Sequence, residues 1–213
     1  MSLEITCFTK DNLHALYDQL AVTNSQFREI IDSYDYPPLW IRPNSFETLV
    51  LTILEQQVSL ASAYAAYQKL KERIDISPAN LLSLTDEELR ACYFSRQKIA
   101  YTRELASAIL SKKIGLKKFE SLPDDQVRQS LIALKGIGNW TVDIYLLHAL
   151  RRTDVFPTGD IALVNAIKMV HELNSITREE MLAMAEPWRP YRSMATMLYW
   201  HYYIKKKNIR LIH

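Results

Sequence analysis

An all-α fold is predicted by three observations on the sequence. Apolar residues recur at helical spacing, as in Phe46, Leu49, Val50, Ile53 and Leu54, a stripe at i, i+3, i+4, i+7 and i+8. Thr85 with Glu88, and Thr177 with Glu180, have the Thr-x-x-Glu spacing of a capping box, in which side chains satisfy the free N–H groups of a helix start. Glycine is scarce, with only 4 in 213 residues, and the alternation that marks strands is weak.

In chain order, the candidate extended pieces are Leu3 to Phe8 and the link Tyr36-Pro37-Pro38-Leu39-Trp40. Asn44 with Glu47 is the expected capping pair for the helix of Phe46. Thr85 opens a further helix, and Ser95 caps one running through Ala100, Leu105 and Ile109. Helices are then predicted from about Asp124 to Leu134, Trp140 to Leu150, Ile161 to Leu173, after Thr177, and from near Arg189 to Ile204. No internal repeat or low-complexity tract interrupts the pattern. A chain of 213 residues holds one large domain or two small fused ones.

Composition narrows the function classes. Hydrophobic residues at 48% and charged residues at 23% are ordinary for a soluble globular chain. Lys+Arg 26 against Asp+Glu 24 gives a formal charge of +2, so any nucleic-acid affinity has to be local. Basic clusters occur at Lys112, Lys113, Lys117 and Lys118, at Arg96 with Lys98, and in the tail at Lys205, Lys206, Lys207 and Arg210. The tail reads as solvated surface; for residues near the glycines a phosphate contact is equally consistent. Two cysteines, Cys7 and Cys92, make neither a disulfide framework nor a four-cysteine site. Spacing offers no side-chain metal site, and no cofactor is expected. His148 and His171 read as packed or surface residues. No signal peptide or membrane-spanning run is recognisable, which predicts a cytoplasmic protein, or a nuclear one in a eukaryote.

Gly136, Gly138 and Gly159 lie in one short stretch. Leu134-Lys135-Gly136-Ile137-Gly138-Asn139-Trp140-Thr141 sits between two predicted helices, with Ile137 as an inward anchor and Asn139 as a candidate cap. A tight turn with alternate glycines lets backbone N–H groups converge, and the positive end of the next helix adds to that anion site. A glycine C-cap between core helices is the bland alternative. Downstream, Asp160 opens the helix of Ile161, Leu163, Val164, Ile167 and Val170. As an N-cap it is ordinary. As a carboxylate favoured in its ionised form at a helix N-terminus, it could also stabilise positive charge developing on a sugar.

Leu134-x-Gly136-Ile137-Gly138-x-Trp140-Thr141, Asp154-Val155-Phe156-Pro157 and Asp160 together resemble the signature of the helix-hairpin-helix DNA glycosylases, most closely the 3-methyladenine DNA glycosylase II branch. Two more stretches are similar to that branch: Glu55-Gln56-Gln57-Val58-Ser59 with Ala61 and Ala63, and Trp188-Arg189-Pro190-Tyr191-Arg192-Ser193-x-Ala195 ending at Trp200. The resemblance runs from about Pro43 to Trp200. It implies a two-lobed helical fold with the active-site cleft between the lobes, one functional unit over residues 1–213, a helix-hairpin-helix at about 124–150, and a loop carrying the catalytic aspartate at 151–160.

The resemblance assigns roles residue by residue. Asp160 matches the catalytic carboxylate. Trp140, Trp200 and Tyr145 are the expected walls of the base pocket, where an indole attracts a cationic alkylated purine. Gly136, Ile137, Gly138, Thr141 and Lys135 are the expected DNA contacts, with a monovalent cation (Na+ or K+) on the hairpin backbone near Leu134 and Ile137. Gln57 occupies the wedge position. Trp140 stands where bifunctional relatives carry a nucleophilic lysine, which implies hydrolysis without strand cleavage. Two departures stand out: Tyr93 replaces a residue that is commonly glycine, and Gln57 is polar where a large apolar side chain is usual. With only about forty residues ahead of the matched region, an extra N-terminal β domain is expected to be absent or reduced. The expected partner is damaged double-stranded DNA, bound by a monomer. A non-catalytic DNA-binding module, or a glycosylase for uracil, a mismatched pyrimidine or oxidised guanine, stays open.

Overall fold

A computed structural model describes residues 6–209, and among them the regular elements are helices. The chain divides into two compact units, one holding residues up to 41 and from 146 onward, the other residues 42–145.

The first unit contains α1 (Leu13–Thr23), α2 (Ser25–Tyr34), α11 (Ile161–Val170), α12 (Arg178–Ala185) and α13 (Arg192–Lys206), with a 3-10 turn at Glu186–Trp188. α13 carries an unbroken buried run from Ser193 to His201, so it is enclosed on all sides, and α1, α2 and α11 pack against it. Phe27 and Trp188 meet edge-on at 5.1 Å, and Phe27 meets Tyr199 at 5.3 Å, forming the aromatic centre of this core. The predicted extended N-terminal piece survives only as an isolated bridge between Cys7 and Arg152; Leu3 to Ile5 lie outside the described residues.

The second unit contains α3 (Phe46–Glu55), α4 (Leu60–Arg73), α5 (Pro78–Ser83), α6 (Asp86–Ala91), α7 (Arg96–Leu110), α8 (Leu116–Phe119) and α9 (Asp124–Ile132), and α10 (Asn139–His148) begins in it. Every residue of α3 except Glu47 is buried, and α4 and α7 pack on it. Thr85 and Thr177 form the predicted capping boxes. The cap of α3 is Ser45, whose Oγ accepts from the Thr48 N–H, and not Asn44. Asn44 instead donates to the Leu116 carbonyl and to Glu120. Helix ends fall short of the sequence estimate where a left-handed residue stops them. Glu172 (φ 53) closes α11, and Leu173 donates back to the Lys168 carbonyl.

Candidate active site and nucleic-acid interface

In the second unit, α9 and α10 are joined by the glycine turn. The Ile137 N–H donates to the Leu134 carbonyl at 3.2 Å, and Ile137 is 4% exposed, the inward anchor of the turn. Its two glycines do different work. Gly136 has φ +86, and a Cβ there would lie 2.0 Å from the Tyr101 ring. Gly138 would carry a Cβ with nothing within 4 Å, so its face is open to approach. Asn139 is the first residue of α10 and not its cap; its Oδ1 accepts from Arg128, which also pairs with Asp143, while the Val142 N–H donates to the Gly138 carbonyl.

The turn is braced from below by Gln56. Its Nε2 donates to the Gly136 carbonyl and to Thr141 Oγ1, both at 2.9 Å. Thr141 is 1% exposed, so its side chain serves this brace and is not presented to a ligand. Lys135 is exposed, with its backbone N–H toward Glu104 at 3.5 Å. Gln57 follows as an exposed residue at φ 57, with Val58 45% and Leu60 47% exposed beside it. Trp140 is half-buried on the first turn of α10. Tyr145 corrects an expectation. It is fully buried, donates its hydroxyl hydrogen to Asn44 and packs edge-on to Phe119, so no base can touch it without opening the core.

In the first unit, the 151–160 loop is fixed from both sides. Asp154 takes Arg189 and Arg192, each within 2.6 Å, and Ser193 Oγ donates to the Arg152 carbonyl while accepting from the Val155 N–H. The loop closes with the Asp160 N–H on the Pro157 carbonyl at 2.9 Å. Asp160 then caps α11, its Oδ1 accepting from the Leu163 N–H at 2.8 Å. The same oxygen accepts from the Trp200 indole N–H at 2.9 Å. Gly159 and Ile161, the latter 76% exposed, put this end of α11 at the surface.

Trp200 is only 9% exposed. His148 stacks on it with centroids 5.5 Å apart and planes at 13°, and Trp40 meets it edge-on at 6.4 Å. His148 Nδ1 donates to the Trp40 carbonyl at 2.8 Å, because a carbonyl can only accept. Little of the indole remains to line a pocket; its polar edge holds the carboxylate. Trp188, at 4% exposure, is core, whereas Trp40 is half-buried.

Several residues in these arrangements were not identified from sequence. Gln56 and Ser193 carried a signal only as members of the two family-like stretches; Tyr101 and Arg128 carried none. Lys98, read as a surface cation, donates to the Leu54 carbonyl at 2.6 Å, and its partial burial holds its pKa below the usual lysine range. Among the described residues no group of three or more His, Cys, Asp or Glu is placed to hold a metal ion, and no helix is long and apolar enough to cross a membrane.

Comparison with known proteins places these features. A Bacillus subtilis protein provisionally named a DNA-3-methyladenine glycosylase is 29% identical over 203 residues, 91% of this chain and 66% of its own length. DNA-3-methyladenine glycosylase 1 of Schizosaccharomyces pombe is 27% identical over 202 residues, covering 92% of this chain and 88% of the relative. The solved structure of the S. pombe 3-methyladenine DNA glycosylase Mag1 in complex with abasic DNA superposes with a TM-score of 0.82 at 25% identity, over 91% of this chain and 97% of that one. The family model for the HhH-GPD superfamily of base excision DNA repair proteins matches residues 50–190, a span that takes in the glycine turn and Asp160, and the chain belongs to that superfamily.

Proposed function

We propose that the protein is a monofunctional DNA glycosylase that hydrolyses the N-glycosidic bond of alkylated purines in duplex DNA. The observation that carries this reading is the Asp160 carboxylate, anchored through one oxygen by the Leu163 N–H and the Trp200 indole at a surface-facing helix start. As the bond between base and C1′ breaks, its electron pair leaves with the base and positive charge grows on the sugar. A fixed carboxylate stabilises that charge and orients a water, which adds to C1′ and gives up a proton. The product is an abasic site with the strand intact, because Trp140 offers no amine for a Schiff base.

Binding rests on the other unit. Gly138 presents its open face beside the N-terminus of α10, a site for a DNA phosphate gripped without sequence readout. Lys135 is placed to add charge there. The Leu134 carbonyl takes one turn hydrogen bond and keeps a second lone pair, so with the Ile137 carbonyl it fits a monovalent cation, which would neutralise part of the phosphate charge. Trp140 supplies the indole face for a cationic base, and Gln57 enters the duplex where the base has left. The whole chain acts as one monomeric unit, in the cytoplasm at the nucleoid of a bacterium or in the nucleus of a eukaryote.

The test is incubation with duplexes carrying methylated, deaminated or oxidised purines, with released bases identified by mass. Alkylated purine is expected in solution, and Asp160→Asn is expected to slow its release by about 10³-fold or more while duplex binding survives. Binding without release from any duplex would favour a non-catalytic module; an Asp160→Asn variant as fast as wild type would remove Asp160 from the mechanism.

A further inference from the structure

Gln56 ties the turn that follows α3 to the glycine turn. Its amide carries two N–H groups, and both are committed to the hairpin: one to the Gly136 carbonyl and one to Thr141 Oγ1, each at 2.9 Å. Neither partner yields easily. Thr141 is buried, and Gly136 is backed by the Tyr101 ring, which leaves no room for even a methyl group. The end of α3 is held as well. Glu55, with 4% of its side chain exposed, receives both guanidinium arms of Arg42, at 2.8 and 2.6 Å.

Such a tie keeps Gln57 at a fixed distance from the phosphate site. Gln57 is the next residue, exposed at φ 57, and Gly138 with its open face lies two residues beyond Gly136. The turn's own backbone adds little to this: the Gln56 N–H reaches the Ile53 carbonyl at 3.3 Å, and Ser59 is occupied in capping α4. Extruding a nucleotide costs about a few kcal/mol. A phosphate grip can offset that cost only if the gripping backbone and the side chain entering the gap cannot slide past one another. A misplacement of about 1 Å is enough to lose most of a catalytic arrangement.

We propose that Gln56 is a positioning residue for base extrusion. It joins the phosphate-gripping turn and the turn that carries Gln57 into one rigid piece, so that binding energy gathered at a phosphate is delivered to the wedge. This rests on the phosphate and wedge roles proposed above for Gly138 and Gln57. Gln56 acts through these neighbours and not on the reacting atoms. The Gly136 carbonyl can only accept, so it fixes which end of the amide faces the hairpin.

Three substitutions separate this from a general loss of structure. Gln56→Leu removes both bonds, Thr141→Val removes one, and Thr141→Ser keeps it. On a duplex in which the alkylated purine is paired, Gln56→Leu is expected to slow single-turnover release by about tenfold or more. Thr141→Val should slow it by about threefold, with Thr141→Ser restoring most of that loss. When the same purine faces a tetrahydrofuran abasic analogue, extrusion is cheaper, and the Gln56→Leu loss should shrink to about threefold or less. Gln57→Ala should cost the wild type about tenfold on the paired duplex but cost Gln56→Leu less than about twofold more, because that wedge is already uncoupled. A readout independent of catalysis uses a duplex with tetrahydrofuran opposite 2-aminopurine. Saturating wild type should change the probe's fluorescence, and saturating Gln56→Leu or Gln57→Ala should change it much less. Additive losses from the two glutamines, equal losses on the two duplexes, or a wild-type fluorescence change in Gln56→Leu would overturn the proposal. If wild type releases no base at all, the glycosylase reading fails while the fluorescence still decides the coupling.

Discussion

The two units carry their functional features in different ways. In the unit of residues 42–145 the features are mostly backbone: a glycine turn, an open helix start, and a left-handed residue at Gln57. In the other unit a single side chain, Asp160, is aimed by another, Trp200, which is itself held against His148 and Trp40. Sequence-independent grip needs only backbone N–H groups, whereas bond cleavage needs one charged atom held in place. The difference predicts where each unit is vulnerable.

The largest effect on stability is expected inside the turn. Gly136→Ala forces a methyl into the Tyr101 ring at a left-handed φ and should cost about 2–4 kcal/mol of unfolding free energy by denaturant titration. Adding Tyr101→Ala should return part of it. Gly138→Ala, with open space above it, should change stability by less than about 1 kcal/mol and weaken binding to an abasic duplex instead. Equal stability losses for the two glycines would end the division of labour drawn between them.

A smaller effect separates aiming from packing in the Asp160 unit. Trp200→Phe keeps a large ring but removes the indole N–H, and a hydrogen bond to a charged group is worth about 1.5–3 kcal/mol. Single-turnover release is expected to slow by about tenfold or more with KM within about twofold of wild type, and Trp200→Leu to be no better. An unchanged rate in Trp200→Phe would leave Trp200 as packing alone.

The smallest effect is a pH dependence confined to one unit. All 5 histidines lie outside residues 42–145. Burial lowers the pKa of His171 and of His201 below the ordinary 6.5, with nearby Lys205 acting in the same direction on His201 and the Tyr34 carbonyl and Asp35 opposing it. The unfolded chain therefore binds more protons below pH 6.5. The stability these neutral imidazoles provide is fully present above that value and is lost as pH falls through it toward the folded-state values. Tm should decline from pH 7 to 5.5, and amide exchange should speed up in α11 and α13 before α3 and α4. Combined His171→Asn and His201→Asn substitutions should flatten the decline; an unaltered decline would assign it elsewhere.

Much of this organisation is legible in the sequence because it is local. The glycine turn, the capping boxes at Thr85 and Thr177, and Asp160 at the head of α11 each depend on residues within a few positions. What was not legible joins distant positions. Gln56 reaches Gly136 across 80 residues, and Trp200 reaches Asp160 across 40. Tyr145 shows the converse. The family resemblance implied a pocket wall, but the period of α10 turns it into the interior, where Asn44 from a distant loop takes its hydroxyl. The Asn44-for-Ser45 error is of another kind, a cap misplaced by one residue, which local pattern rarely resolves.

The Oδ1 atom of Asp160 answers to two masters, since the start of α11 and the Trp200 indole both donate to it. An amide in place of the carboxyl keeps that oxygen and hence the cap, so a duplicate gene freed from catalytic duty can drift through asparagine and still encode a sound, lesion-seeking protein. Alanine closes that route by removing the cap along with the charge. Loss of catalysis and loss of folding are thus separated at this codon by the choice of replacement, and inactive descendants of such a chain should be enriched in the isosteric one.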